Sequence, residues 1–469
     1  MLMGGAVLLL ALISGLLGPE AVSMGLGGIL SLALIGSRPE WGVGALLTMF
    51  TLQYPWISRT LAGSGLLSPN NVLALLLFVI MAYWLLRDGD WSFLRSRQVQ
   101  LTLIIVAGIF LSSLLNPVES TELTSLGLTP RGQDPARLML ARGLFLVLFV
   151  FFARGPRELR LLLGIFLCLS LITALTGSIA GLTGSGMLVR GGEGYRAGGT
   201  AVAARAAVNP NRLAMTSVLA MILIWEYGQS ESGRRWAWLA SAAVLGLVLT
   251  VFLTASRGGL VGLALAGFLL MARRRAGARR LLYGAMLAVV AIGVIAEFVP
   301  EQNLERLGNL PGLSQDASGA GQGSIARRQY ALKVALGIFL EHPLLGVGAG
   351  NWEKERFLRD PARSVAVPHN SYMLVLAEQG LPALAVYLLL FGTTLRQLMQ
   401  LEREPEAMRQ ASREGLDWII TGTRLCLVLF LIFSLFGDLW ENITMYILLG
   451  TAAVLLRRYL PEQAQLSPA

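Results

Sequence analysis

Two histidines occur in the 469 residues, His342 and His369. His369 stands in Val367-Pro368-His369-Asn370-Ser371-Tyr372, directly ahead of an apolar run. A neutral imidazole at a membrane entrance is suited to general-base work near neutral pH; an interfacial histidine bonded to backbone has the same sequence signature. His342, beside Pro343, reads as a turn or cap residue. Neither histidine has a Cys or Asp cluster near it, so the expectation is a protein with no bound metal and no cofactor. Cys168 and Cys426 both lie inside apolar runs and read as small hydrophobes rather than as a disulfide or zinc framework.

The arginines carry the complementary chemistry. In Thr254-Ala255-Ser256-Arg257-Gly258-Gly259 two apolar runs are separated by almost no polar length, so Arg257 must sit at or just inside the membrane surface. A charge at that depth is costly unless it meets a carboxylate or an anionic ligand, and the sequence leaves both a structural ion pair and a phosphate site open. Arg196 occurs in the Gly-rich stretch Gly194-Tyr195-Arg196-Ala197-Gly198-Gly199-Thr200, followed by Asn209-Pro210-Asn211-Arg212. Further on, Leu332, Leu336, Phe339 and Leu340 fall at helical spacing between Ile325 and Leu340, with Pro343 just beyond, which predicts an amphipathic helix on the outer membrane face. Arg328 precedes Leu332 by one turn and Leu336 by two, and is expected to share their buried face, whereas Arg327 points about 100° away. A snorkelling arginine would show the same spacing. Several arginines near one histidine suit an anion such as a diphosphate, because guanidinium groups bind phosphate as a fork and stay charged. No Walker A sequence is present, so the energy for bond formation is expected from an activated substrate in the membrane. Glu378 and Arg424 also fall inside predicted helices, where structural or gating roles are expected.

These residues need a scaffold, and composition says which kind. The chain is 55% hydrophobic and 14% charged, with a mean hydropathy of +0.64, which excludes an ordinary soluble enzyme and predicts an all-α polytopic membrane protein. Its net charge of +10 comes from short basic clusters between apolar runs, so nucleic acid is not an expected partner and the lipid bilayer is. Helices are predicted near 3–18, 22–36, 42–60, 71–87, 99–115, 138–153, 159–184, 211–227, 236–254, 258–272, 281–299, 372–395, 416–436 and 440–457, giving about 12–14 spans. The opening run reads as an anchor rather than a cleaved signal peptide. Arg87, Arg95 and Arg97, then Arg154, Arg157 and Arg160, then Arg234 and Arg235 occupy alternate loops; so do the clusters at 273–280, 396–413 and 457–458. The positive-inside rule makes those loops and both termini cytoplasmic and the candidate residues periplasmic. The chain then divides into N-terminal membrane helices (1–184), central membrane helices with the Arg196 and Arg257 outer loops (185–299), a large periplasmic loop with its amphipathic helix (300–371) and C-terminal membrane helices (372–469).

The ordered set of motifs resembles the O-antigen ligase and polymerase family of bacterial membrane glycosyltransferases. The resemblance rests on Ser256-Arg257-Gly258-Gly259, on Arg328 ahead of Ala335-Leu336, on His342-Pro343-Leu344-Leu345-Gly346-Val347-Gly348-Ala349-Gly350-Asn351-Trp352, and on His369-Asn370-Ser371-Tyr372 with Glu378 and Gly380. The Arg196…Gly199-Thr200…Asn209-Pro210-Asn211 stretch adds to it, and the whole covers roughly 190–395. Two departures stand out: Leu332 replaces a tryptophan often found after the loop arginine, and Arg327 beside Arg328 leaves open which of the two is the family's arginine.

The resemblance implies a fold like the C-type membrane glycosyltransferases, with a large periplasmic loop. It implies transfer of a glycan from a polyprenyl (undecaprenyl) diphosphate carrier to an acceptor hydroxyl at the bacterial inner membrane, without metal. His369 would then take the proton of the attacking hydroxyl, Arg257, Arg328 and Arg196 would hold the diphosphate, and Asn370 and Ser371 would orient the imidazole or sugar. The expected acceptor is a lipid A core or similar lipid-linked or glycan group, as in lipopolysaccharide biosynthesis. Joining carrier-linked repeat units, as a polymerase does, is the alternative within the family; a transporter or flippase is the alternative outside it. Polar residues concentrated on one side favour an enzyme over a transporter with internal repeats. The acceptor, the sugar and the oligomeric state are not readable from the motifs.

Overall fold

The computed structural model describes residues 36–52, 69–117, 135–183, 187–188, 195–196, 209–272, 320–361 and 368–460. Among the described residues the helices are α1 (Pro39–Leu52), α2 (Pro69–Asp88), α3 (Arg97–Leu115), α4 (Pro135–Phe152), α5 (Pro156–Leu182), α6 (Pro210–Gln229), α7 (Ala237–Leu253) and α8 (Arg257–Ala272). They continue with α9 (Ala320–Glu341), α10 (Trp352–Arg359), α11 (Ser371–Arg403), α12 (Pro405–Arg413), α13 (Asp417–Phe433) and α14 (Ile443–Tyr459). A minimal antiparallel ribbon pairs Met187–Leu188 with Tyr195–Arg196. The protein is otherwise an all-α polytopic membrane protein. Among the described residues five helices are long and apolar enough to cross a bilayer, or six if the bent pair α12–α13 counts as one span. The predicted helices from 71–87 to 258–272 appear as α2 to α8. The one expected at 42–60 is described up to Leu52, while those at 3–18 and 281–299, and nearly all of 22–36, lie outside the described residues.

Apolar helices without an internal polar face pack on several sides at once. In α4 every residue from Phe145 to Phe152 is buried, with Phe145, Phe149 and Phe151 at 2% exposure or less. The second half of α14 is equally enclosed, from Ile447 to Leu456. At the rim, Leu75, Val79 and Leu86 of α2 and Ile172, Leu175 and Ile179 of α5 are uncovered by protein, as lipid-facing side chains must be.

Arginines of three basic clusters, with Arg424, gather at one end of this bundle. Arg87 and Arg154 share Asp88, at 2.6 and 3.8 Å. Arg458 meets Glu414 at 2.7 Å, and the Glu414 carbonyl accepts from Arg160. Arg424 of α13 pairs with Glu402 of α11 at 2.8 Å, which gives that arginine a structural partner. The candidate residues start from the opposite ends of the same helices. On α14, 17 residues at 1.5 Å each separate Asn442 and its neighbours from Arg458 by about 25 Å.

The expected uninterrupted helix at 372–395 is corrected in one respect: α11 breaks at Gly380, whose φ is 76°. The cause is two residues on. Pro382 has no N–H to donate to the Glu378 carbonyl, and its ring crowds that position, so the helix cannot run through. The loop 342–351 supplies what the break removes. Val347 N–H donates to the Ala377 carbonyl at 3.0 Å and Gly348 N–H to the Glu378 carbonyl at 2.9 Å, while Leu381 N–H turns to the Pro343 carbonyl at 2.8 Å. Ser112 of α3 holds the Leu345 carbonyl at 2.9 Å, and Asn351 reaches the Asn116 carbonyl at 3.0 Å. Gly346 (φ 61°) presses on the backbone of Glu378 and Gln379, where a Cβ would collide. The His342–Trp352 motif is thus a plug that satisfies the backbone of a broken helix.

Candidate functional site

Arg257 owes its place to the cap before it. Ser256 Oγ accepts from Gly259 N–H at 3.1 Å, closing the first turn of α8 and making Arg257 its first helical residue. Between α7 and α8 the chain reverses through Ala255 at φ 46°, a left-handed conformation disfavoured for a residue with a Cβ. Gly259 lets α8 lie against α6, where a Cβ would come within 2.6 Å of Ala214. Gly258 faces Phe436 in the α13–α14 connection.

His369 is fastened to that same connection. Asn370 caps α11 by accepting from Met373 N–H at 3.0 Å, and its amide reaches the Leu435 carbonyl at 3.4 Å. Ser371 N–H donates to the Ser434 carbonyl at 2.8 Å; its hydroxyl donates to the Gly437 carbonyl and accepts from Leu439 N–H, both at 2.8 Å. With Asn370 and Ser371 so engaged, their side chains hold the backbone of the His369 turn. His369 itself is half-buried at φ 52°, so both non-glycine residues of positive φ among those described flank this site. Such outliers persist where surroundings over-determine them, and they concentrate at functional sites.

Arg328 arrives from α9, which packs on α11. Its predicted companions are corrected: Leu332 is half-buried and Leu336 is 46% exposed, and the buried stripe is Ala331, Val334, Ala335 and Ile338. Arg328 stays on the inner side because 328, 331, 335 and 338 repeat at helical spacing. Small residues on that stripe let the helices approach closely, while the leucines are left to a lipid-facing side. Burial, and next the charge of Arg257, push the Arg328 pKa below its ordinary value, so two guanidinium groups from distant parts of the chain repel one another here.

Other predicted residues fare differently. Arg196 lies in the second strand of the small ribbon, where only its backbone is described. The Arg327 side chain lies outside the described residues. Glu378 is fully buried beside the break, and its Oε1 accepts from Trp352 N–H at 3.4 Å, which assigns it to the plug. His342 follows α9 as an exposed turn residue, accepting from Gly346 N–H at 3.0 Å, as its sequence context predicts.

The family model described as O-Antigen ligase matches residues 241–388. Over this stretch the chain is similar to the O-antigen ligase family. The matched segment runs from α7 into α11 and contains Arg257, Arg328, the plug and His369. No curated protein matches the chain.

Two arginines outside the ligase segment were not singled out from sequence. Arg212, on the first turn of α6, donates to the Asp438 carbonyl at 3.3 Å and so grips the connection that carries His369. Arg142, inside α4, is 6% exposed. An arginine within an apolar run was the available signal for it.

Proposed function

We propose that this protein transfers a glycan from a polyprenyl diphosphate carrier to an acceptor hydroxyl, such as that of a lipid A core, by direct inverting displacement at the periplasmic side of the bacterial inner membrane. The observation that carries the reading is that Arg328 feels the charge of Arg257 from a separate element, while the start of the Arg257 helix and the left-handed His369 turn both meet the 434–439 connection. Like charges brought together at low dielectric favour an anion between them.

In this reading the acceptor oxygen attacks the anomeric carbon as His369 takes its proton. The bond from that carbon to the carrier oxygen breaks, and its electron pair leaves on the diphosphate. Arg257 and Arg328, joined by Arg196, stabilise the charge that develops there; Asn370 and Ser371 keep the imidazole in place. The diphosphate leaves as a stable anion, so no acid is required.

The test is turnover by purified protein in nanodiscs, given a polyprenyl diphosphate glycan and candidate acceptors. Formation of a new glycosidic bond, lost in His369→Ala at unchanged melting temperature, is the expected result. Bond formation onto a second carrier-linked glycan alone would assign the protein to polymerisation. No bond with any acceptor, together with glycan-lipid crossing liposomes, would replace the enzyme by a transporter.

A further inference from the structure

The Arg257 helix and the His369 turn hold the same short piece of chain, the end of α13 and the turn after it. From the α11 side the grip is polar. Ser371 N–H donates to the Ser434 carbonyl and the Ser371 hydroxyl to that of Gly437, each at 2.8 Å, and the Tyr372 hydroxyl donates to the Leu431 carbonyl at 2.7 Å. From the α8 side the grip is steric. Gly262 is buried where α8 packs on α13, and a Cβ there would overlap Cζ and Cε1 of the Phe433 ring and come within 2.9 Å of Cε2. One turn earlier, a Cβ at Gly258 would stand 3.6 Å from that of Phe436.

The buried Phe433 ring thus fills the notch that a missing side chain leaves on α8. Phe433 adjoins Ser434, which holds α11 two residues beyond His369, and Gly262 lies five residues beyond Arg257, about 7.5 Å along the helix axis. A ring tip against helix backbone has little slack, because protein interiors are close-packed, so the depth of the ring in the notch fixes how far α8 stands from α13. We propose that Phe433 is a positioning residue which, seated at Gly262, sets the register of Arg257 relative to His369, and so of the carrier diphosphate relative to the base. This deepens the carrier-diphosphate reading and rests on it. Gly262→Ala would push α8 outward and carry Arg257 with it. Phe433→Leu removes Cζ, Cε1 and Cε2, the three atoms that a Cβ at 262 would meet, so the two changes should compensate each other.

The test is turnover per donor-binding site in nanodiscs for wild type, Gly262→Ala, Phe433→Leu and the double variant, with sites counted from the stoichiometry of bound polyprenyl diphosphate glycan. Each single change is expected to lower turnover at saturating donor and acceptor about tenfold or more, since a misplacement of about 1 Å suffices for that. The double variant is expected to recover to within about threefold of wild type, the sign of coupling between the two positions. A merely structural contact would instead lower the number of donor sites and leave the rate per site unchanged. That result, or a double variant no faster than the slower single one, would overturn the register. If Gly262→Ala fails to fold, Phe433→Leu decides by its rate per site. Wild-type turnover with unaffected variants would remove the register alone, whereas no turnover by wild type with any acceptor would remove the donor reading and the register with it.

Discussion

The two ends of the helical bundle handle the same residue type in opposite ways. At one end Arg87, Arg154, Arg424 and Arg458 each lie within 4 Å of a carboxylate, from Asp88, Glu402 or Glu414. At the other, Arg359 pairs with Glu341 in the same way, but Arg328, half-buried on α9, feels the charge of Arg257. Pairing neutralises and fastens; mutual repulsion stores a demand for an anion. The difference teaches that positive charge alone does not mark a site: the basic loops that orient a membrane protein are neutralised by nearby carboxylates, whereas two arginines brought together from separate elements make the arrangement a diphosphate would use.

The largest gap between the ends is expected at His369. Replacing it by Ala should lower the transfer rate by about 10²–10⁴-fold, the range for a general base, while donor binding persists. Rate at saturating donor and acceptor in nanodiscs is the measurement; normal turnover would return His369 to a purely structural role. Next comes a matched pair of conservative changes. Arg257→Lys should cost about 10–10²-fold in rate, because an ammonium cannot reproduce the guanidinium fork, whereas Arg458→Lys should leave the rate within about twofold. Equal effects at both positions would erase the distinction between the ends.

Much of the scaffold was legible and the site only partly so, for a common physical reason. Hydropathy and basic clusters locate α2 to α8 because lipid contact and the positive-inside bias act residue by residue. The stripe on α9 was misread because bulk was equated with burial. Leu336 and Leu340 face outward and Ala331 and Ala335 face in, an inversion natural where the surroundings are as apolar as the interior. The α11 break had a signal in Gly380-Leu381-Pro382, yet its partners Val347 and Gly348 lie some thirty residues away, and no local pattern tells which backbone groups a distant loop will satisfy. Arg142 is visible as a charge inside an apolar run; its seat over the Phe50 ring depends on how α1 and α4 meet in space.

A moderate effect is expected where the plug meets the break. Gly380→Ala forces a Cβ onto a φ of 76° and against the Pro343 carbonyl, at 2.8 Å. The expected loss is about 1–3 kcal/mol, seen as a lower melting temperature and faster amide exchange in 343–348 and 377–381. Exchange in α14 near Arg458 should be unaffected, since that region belongs to the other end. Uniform loosening of both regions would show that the bundle responds as one unit and that the plug does not secure the site end separately.

The smallest effect is expected at the paired end, and it has a definite sign with pH. The hydrogen bond from Arg458, followed by that from the Tyr459 hydroxyl, holds the Glu414 carboxyl down at about 2, against an ordinary value of 4.5. A depressed carboxylate contributes stability that is present in full above the unfolded-state value and fades as pH falls through the folded one. Glu414→Gln should therefore melt slightly below wild type near neutral pH, with the difference closing between about pH 4.5 and pH 2. Both partners are partly exposed, so the difference corresponds to an exposed pair, about 0.2–1 kcal/mol. Scans of both proteins across that window decide it. A difference that grows toward acid would mean that Glu414 is held protonated in the folded protein, and the pair with Arg458 would then not be an ion pair.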